Sequence, residues 1–289
     1  MIALPLCIIL STYLVICFKY FQKFGVNNLQ AIVFNYVTCV ITGIVYSKQV
    51  PDVSLIIETP WFPVAVILGC CFFLIFNLMG YVASNIGITV TSVASKLSMV
   101  IPVTAAIILY NESFSFLKII ALLLGFVAVY FSSLHAAPGE SHIDFKGLLL
   151  AFIIFIGSGL NDTLVNYGTR KLMLSSEFEN FNISIFAFAA LAGIIVMLYQ
   201  SIALKKPIPI KAVIAGIVLG VPNYFSLLFL MKALNIPEWN SSVIIPINNM
   251  GIVVLSAVSA FLLFKEKLSI ANLAGIMIGL IAIGIMLIA

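Results

Sequence analysis

The chain is poor in charge. Only 8% of its 289 residues are Asp, Glu, Lys or Arg, against about 25% in a soluble globular domain. It has no cluster of Lys and Arg, so a nucleic-acid surface is excluded. It has no Gly-rich nucleotide-binding loop. Its two histidines, His135 and His142, sit together in one polar joint, away from any Cys or carboxylate at ligand spacing, so no metal and no cofactor are expected. No nucleophile–base set shares one depth, which argues against an enzyme. No polar stretch is long enough for a separate soluble domain. The longest, residues 135–146, reads HAAPGESHIDFK.

Apolar residues take the remaining space. They make up 63% of the chain, and the mean hydropathy is +1.24. A water-soluble fold of this size cannot hide that much apolar surface, so lipid is the solvent for most of it. Spanning β-strands would be about ten residues long and would alternate in polarity. The apolar runs here are near twenty residues and do not alternate, which predicts an all-α integral membrane protein. Charge and Pro/Gly/Asn punctuation cuts the chain into ten spans: 3–21, 28–47, 61–84, 88–110, 116–134, 146–168, 180–201, 211–233, 239–264 and 269–288. The first has no basic region before it and reads as a retained span. The five cysteines all fall inside apolar runs and read as small hydrophobes.

The two halves repeat one another. YNESFSFLKIIALLLGFVAVYF at 110–131 matches FKEKLSIANLAGIMIGLIAIGI at 264–285, pairing Glu112 with Glu266, Ser115 with Ser269 and Gly125 with Gly279. Further upstream Ala83, Asn85, Ile86, Ser92 and Val93 pair with Ala233, Asn235, Ile236, Ser242 and Val243. The spacing grows by four residues between the two sets, about one helical turn. The extra turn belongs to the ninth span, near PINN at 246–249. Five spans per half is an odd number, so the halves run in opposite directions. Two inverted five-helix repeats are expected: 1–135, a connecting loop 136–145, and 146–289. Such repeats build secondary transporters with a binding site near mid-membrane.

This pattern resembles the drug/metabolite transporter superfamily, EamA type. The residues that carry the resemblance are Pro102 and Val103 in the fourth span, Asn111-Glu112 at the following turn, and Gly125. In the second half they are Ala233-Leu234, Lys265-Glu266, Gly275 and Gly279. The family's Gly-Glu turn stands here as Asn-Glu and Lys-Glu. The resemblance implies a multi-pass permease of the cytoplasmic membrane with both termini in the cytoplasm. The distribution of Lys and Arg disagrees, with five in the joints this would place inside and eight outside.

Polar groups at depth are the candidate site, because ionisable side chains within spans are costly and default to function. Lys96 lies roughly 13 Å into the fourth span, Asp162 roughly 12 Å from the end of the sixth, and Asn248 and Asn249 roughly 15 Å into the ninth. Lys96 is too deep for its stem, roughly 6 Å long, to snorkel out. Asn35, Asn77, Ser92, Asn223 and Tyr224 are expected to join a solute cavity. Pro102, Pro222 and Pro246 free backbone carbonyls, which is tolerated where they line a cavity or meet another helix. Two readings of Lys96 stay open: it pairs with an anionic solute, or with Asp162. The expected function is transport of a small polar metabolite, anionic if Lys96 binds it. The alternatives are a proton-coupled exporter of amino acids or drugs, with Asp162 carrying the proton, and a flippase of a lipid-linked solute. The expected partners are the solute and the lipid bilayer. Glu112 and Glu266 read as turn and cap residues. Gly216-x-x-x-Gly220 and Gly275-x-x-x-Gly279 read as close helix contacts.

Overall fold

A computed structural model describes residues 2–86, 88–112, 115–133, 145–205, 207–264 and 269–288. The joint 135–144 with His135 and His142, and Lys265, Glu266 and Lys267, lie outside the described residues. Among the described residues there are no strands. The helices are α1 Ala3–Lys23, α2 Asn28–Ser47, the short α3 Val53–Ile57, α4 Phe62–Asn85, α5 Ile88–Leu97, α6 Val100–Tyr110, α7 Phe116–Ser133, α8 Phe145–Tyr167, α9 Phe178–Ala203, α10 Ile210–Leu234, α11 Ser241–Phe264 and α12 Ile270–Ile288. A π-helical turn, Gly168–Leu172, prolongs α8, and a 3-10 turn, Ser175–Glu177, precedes α9. Nine stretches among the described residues are long and apolar enough to cross a bilayer, and α7 is a shorter apolar helix.

Local chemistry sets the ends. The Asn27 side chain accepts the Gln30 N–H at 3.2 Å and starts α2. At the start of α12, Ser269 Oγ accepts the Asn272 N–H at 3.1 Å, and Asn272 Oδ1 accepts the Ser269 N–H at 3.1 Å. Asn272 then donates to the Phe131 and Ser132 carbonyls at 3.2 Å, capping the end of α7 as well. Asn111 ends α6 with φ 51, in the left-handed region. Asn tolerates that region best after Gly.

The fourth span departs from the expectation of one helix over 88–110. It is two helices, α5 and α6, interrupted at Ser98 and Met99. Pro102 has no N–H for the Ser98 carbonyl and its ring crowds it. That carbonyl takes the Ile101 N–H instead, at 2.9 Å, and Met99 N–H donates to the Lys96 carbonyl at 3.3 Å. The Ser98 hydroxyl donates to the Ser95 carbonyl at 2.6 Å. Pro222 and Pro246 lie inside α10 and α11 without ending them. PINN is therefore ordinary helix.

The chain divides into two compact units. One is Met1–Asn77 with Tyr167–Asn235, and the other is Leu78–Asn166 with Ile236–Ala289. Each takes helices from both sequence halves.

In the first unit α2 packs on α9 and α10, and α1 on α10. Gly216 and Gly220 make the α2–α10 approach possible. A Cβ at Gly220 would stand 2.7 Å from the Asn35 carbonyl oxygen, and one at Gly216 would stand 2.8 Å from the Asn35 nitrogen. The Trp61 ring nitrogen donates to Glu177 Oε1 at 2.9 Å, while Glu177 Oε2 accepts the Leu174 N–H at 2.8 Å. Arg170 Nε donates to the Leu234 carbonyl at 2.8 Å. This ties the π-helical turn to the end of α10.

In the second unit α7 packs along α12, and α11 on α6, α7 and α12. A Cβ at Gly275 would lie 2.5 Å from the Ser132 nitrogen. Backbone cannot give way as a flexible side chain can. Gly275→Val is therefore expected to cost about 1–3 kcal/mol, read as a lowered unfolding temperature in detergent. Gly284 has nothing within 4 Å of its built Cβ, so Gly284→Ala is the matched control and should change little.

Candidate functional site

In the second unit the break in the fourth span carries the charged cluster. Lys96 occupies the last turn of α5, where the carbonyl end of the helix dipole favours a cation. Its Nζ donates to Asn249 Oδ1 on α11 at 3.1 Å. Asp162 on α8 stands within hydrogen-bonding reach of the Asn249 amide and within electrostatic range of Lys96. An amide oxygen accepts and an amide nitrogen donates. Asn249 therefore accepts from the ammonium with its amide oxygen and has its amide nitrogen on offer to the carboxylate. Three helices contribute one polar side chain each.

Small residues bring these helices close. Gly159 on α8 faces the Ile101 side chain, just past the break, and a Cβ there would overlap it. Gly125 on α7 faces Met250 and Met99, with a built Cβ 2.6 Å from Met250 Sδ. Met99 and Met250 are both fully buried, so α7 backs the break with apolar side chains. Thr163 folds its hydroxyl onto the Gly159 carbonyl at 2.7 Å.

The sequence-predicted residues divide between the units. Lys96, Asp162, Asn249, Asn248 and Ser92 belong to the second unit. Asn248 is buried beside Asn249, and Ser92 lies one helical turn before Lys96 on α5. Asn35, Asn77, Asn223 and Tyr224 belong to the first unit. There Asn223 Nδ2 donates to Asn35 Oδ1 at 3.2 Å, and the Cys39 thiol donates to the Gly220 carbonyl at 3.2 Å. Asn77 donates to the Phe73 carbonyl of its own helix at 2.7 Å. Tyr224 is fully buried, with its ring 5.3 Å from that of Phe225. An apolar groove of about 400 Å³ between α2 and α10, lined by Ile41, Val45, Tyr46, Val221 and Phe225, includes none of the predicted site residues.

Sequence reasoning missed three buried polar residues. Asn182 on α9 donates to the Tyr224 carbonyl at 3.0 Å. Asn166 on α8 donates to Ser241 Oγ at 3.0 Å. Lys118 at the start of α7 is only 2% exposed. All three lie near the ends of apolar runs, where polar residues are expected at an interface. Only the Asp162–Asn166 spacing of four could have marked Asn166 as sharing a helix face with Asp162.

Glu112 proved to be a cap for a helix other than its neighbours. Its Oε1 accepts the Ser241 N–H and hydroxyl, both at 2.8 Å, and its Oε2 accepts the Ser242 N–H at 2.8 Å. It thus satisfies the first donors of α11. Burial would push its carboxyl up, but the hydrogen bonds from Ser242 and Ser241 outweigh burial and hold it below the usual carboxylate range. A carboxyl depressed in the folded state stabilises it at pH above the ordinary carboxylate value. That contribution is lost as the pH falls through the depressed value.

No family model matches the chain. It is 29% identical over 282 residues to an uncharacterized protein of Haemophilus influenzae, covering 96% of this chain and 94% of that one. A solved structure described only as the crystal structure of a protein matches it with a TM-score of 0.73 and 14% identity, over 99% of both chains. The chain therefore shares the fold of a solved protein. Its apolar helices make it a multi-pass membrane protein.

Proposed function

We propose that the chain is a secondary transporter of the drug/metabolite, EamA type, which moves a small polar metabolite by alternating access. The observation that carries this reading is the Lys96–Asn249–Asp162 cluster at a helix break. Discontinuous helices with polar groups at mid-membrane are the recurrent way in which transporters hold solutes. Lys96 takes an anionic group of the solute, a carboxylate or phosphate, in competition with its bond to Asn249. Asn248 and Asn249 supply hydrogen bonds. The packing of α2 on α9 and of α7 on α12 supports a repeated architecture, because each pair joins equivalent spans of the two halves.

A second reading draws on Asp162. A carboxylate beside Lys96 is suited to exchange a proton for solute, which would make the protein a proton-coupled exporter. Thermal unfolding of the purified protein against carboxylates, phosphate monoesters and α-amino acids tests the first reading. A ligand at one hundred times its Kd stabilises by about 2.7 kcal/mol, a rise of a few degrees for a chain of this size. Stabilisation by anionic compounds is expected. Stabilisation by cationic compounds alone would sink the assignment of Lys96. Counterflow in liposomes with and without a pH gradient separates the second reading, since indifference to the gradient removes the proton.

A further inference from the structure

The segments that carry Lys96, Asp162 and Asn249 meet a second time. The turn after α6 supplies Glu112, α11 supplies Ser241 and Ser242, and α8 supplies Asn166. Asn166 lies one helical turn beyond Asp162, and Asn249 lies about two turns beyond Ser241. The Ser241 hydroxyl is the link, since it donates to Glu112 Oε1 and accepts from Asn166 Nδ2. Glu112, Ser241 and Asn166 are all buried. A buried carboxylate that accepts three short hydrogen bonds tolerates little movement of its donors, because each bond lost removes part of the support of a buried charge, which Lys118 also balances.

We propose that Glu112, Ser241 and Asn166 form a positioning clamp. The clamp sets the height and rotation of α11 against α8 and the broken span, and so holds Asn249 between Lys96 and Asp162. The importance of that placement for solute rests on the transport reading above. The clamp itself does not. Glu112 touches no solute, and it acts through α11. A residue whose only duty was to cap a turn would bond within its own turn. Glu112 reaches across to another helix, and that helix carries Asn249.

Cross-linking tests it without any substrate. In a background lacking the five native cysteines, Lys96→Cys and Asn249→Cys are joined by a short bifunctional methanethiosulfonate. A second pair, Asn35→Cys and Asn223→Cys in the other unit, reports on the fold as a whole. Glu112→Gln is expected to slow the first cross-link about tenfold, with the second unchanged, because a neutral amide keeps the shape but loses the charge-assisted bonds. Glu112→Asp should restore part of the rate. Asn166→Ala should slow it in the same way, and keeps the question open to test if Glu112→Gln does not fold. An unchanged first cross-link in Glu112→Gln and Asn166→Ala overturns the clamp, and so does equal loss at both pairs. A chain that moves no solute still yields this result, so the clamp and the transport reading fail separately.

Discussion

Lys96→Met is expected to lower solute uptake into proteoliposomes by about 10- to 100-fold, while Lys96→Arg retains a substantial part. The range follows from the roughly 1.5–3 kcal/mol carried by a hydrogen bond to a charged group. Lys96 sits at the end of a broken helix with an amide as its partner. An amide oxygen is a weaker competitor for an ammonium than a carboxylate or phosphate. An arriving anionic solute can therefore displace Asn249 and free it to bind the solute in turn. Met keeps the length of the lysine stem but removes the charge. Arg keeps the charge with a different, planar geometry. Equal uptake by Lys96→Met and wild type would reject an anion-binding role.

Asp162→Asn is expected to destabilise the protein by about 1–3 kcal/mol, the cost of removing a carboxylate within electrostatic range of Lys96 where both groups are half-buried. The double variant Lys96→Met with Asp162→Leu should recover much of this loss, because an apolar pair of similar volume needs no compensation. Its transport should stay low. Recovery of stability without recovery of transport separates function from support, the two readings that sequence leaves open for Lys96. If the double variant transports as wild type does, the pair is structural only. Unfolding temperatures in detergent and uptake in liposomes, measured on the same preparations, decide it. The neutral Asn can no longer carry a proton, so Asp162→Asn should also abolish any response of uptake to a pH gradient if the second reading holds.

Much of this architecture is legible in the sequence because bilayer thickness forces it. The apolar runs predicted the helices to within a few residues at most ends, and the Gly-x-x-x-Gly pairs marked helices that pack closely. The same arithmetic of rise per residue put Lys96, Asp162 and the Asn248-Asn249 pair at similar depths. The sequence also marked Pro102 as a disturbance. It did not place the interruption four residues earlier, at the carbonyl that Pro102 cannot serve. Asn35, Asn223 and Tyr224 had the same polar signature at depth as Lys96. Nothing in a linear pattern could assign them to the other compact unit.

Sequence alone therefore determined the solvent and the helices, since these depend on local hydropathy and a fixed rise per residue. Tertiary structure alone decided the partners. That Asn249 faces Lys96, that Glu112 caps α11 and that Asn166 reaches Ser241 all depend on rotation about helix axes and on which helices are neighbours. Close contacts at Gly159 and Gly125, between residues far apart in the chain, contribute to both.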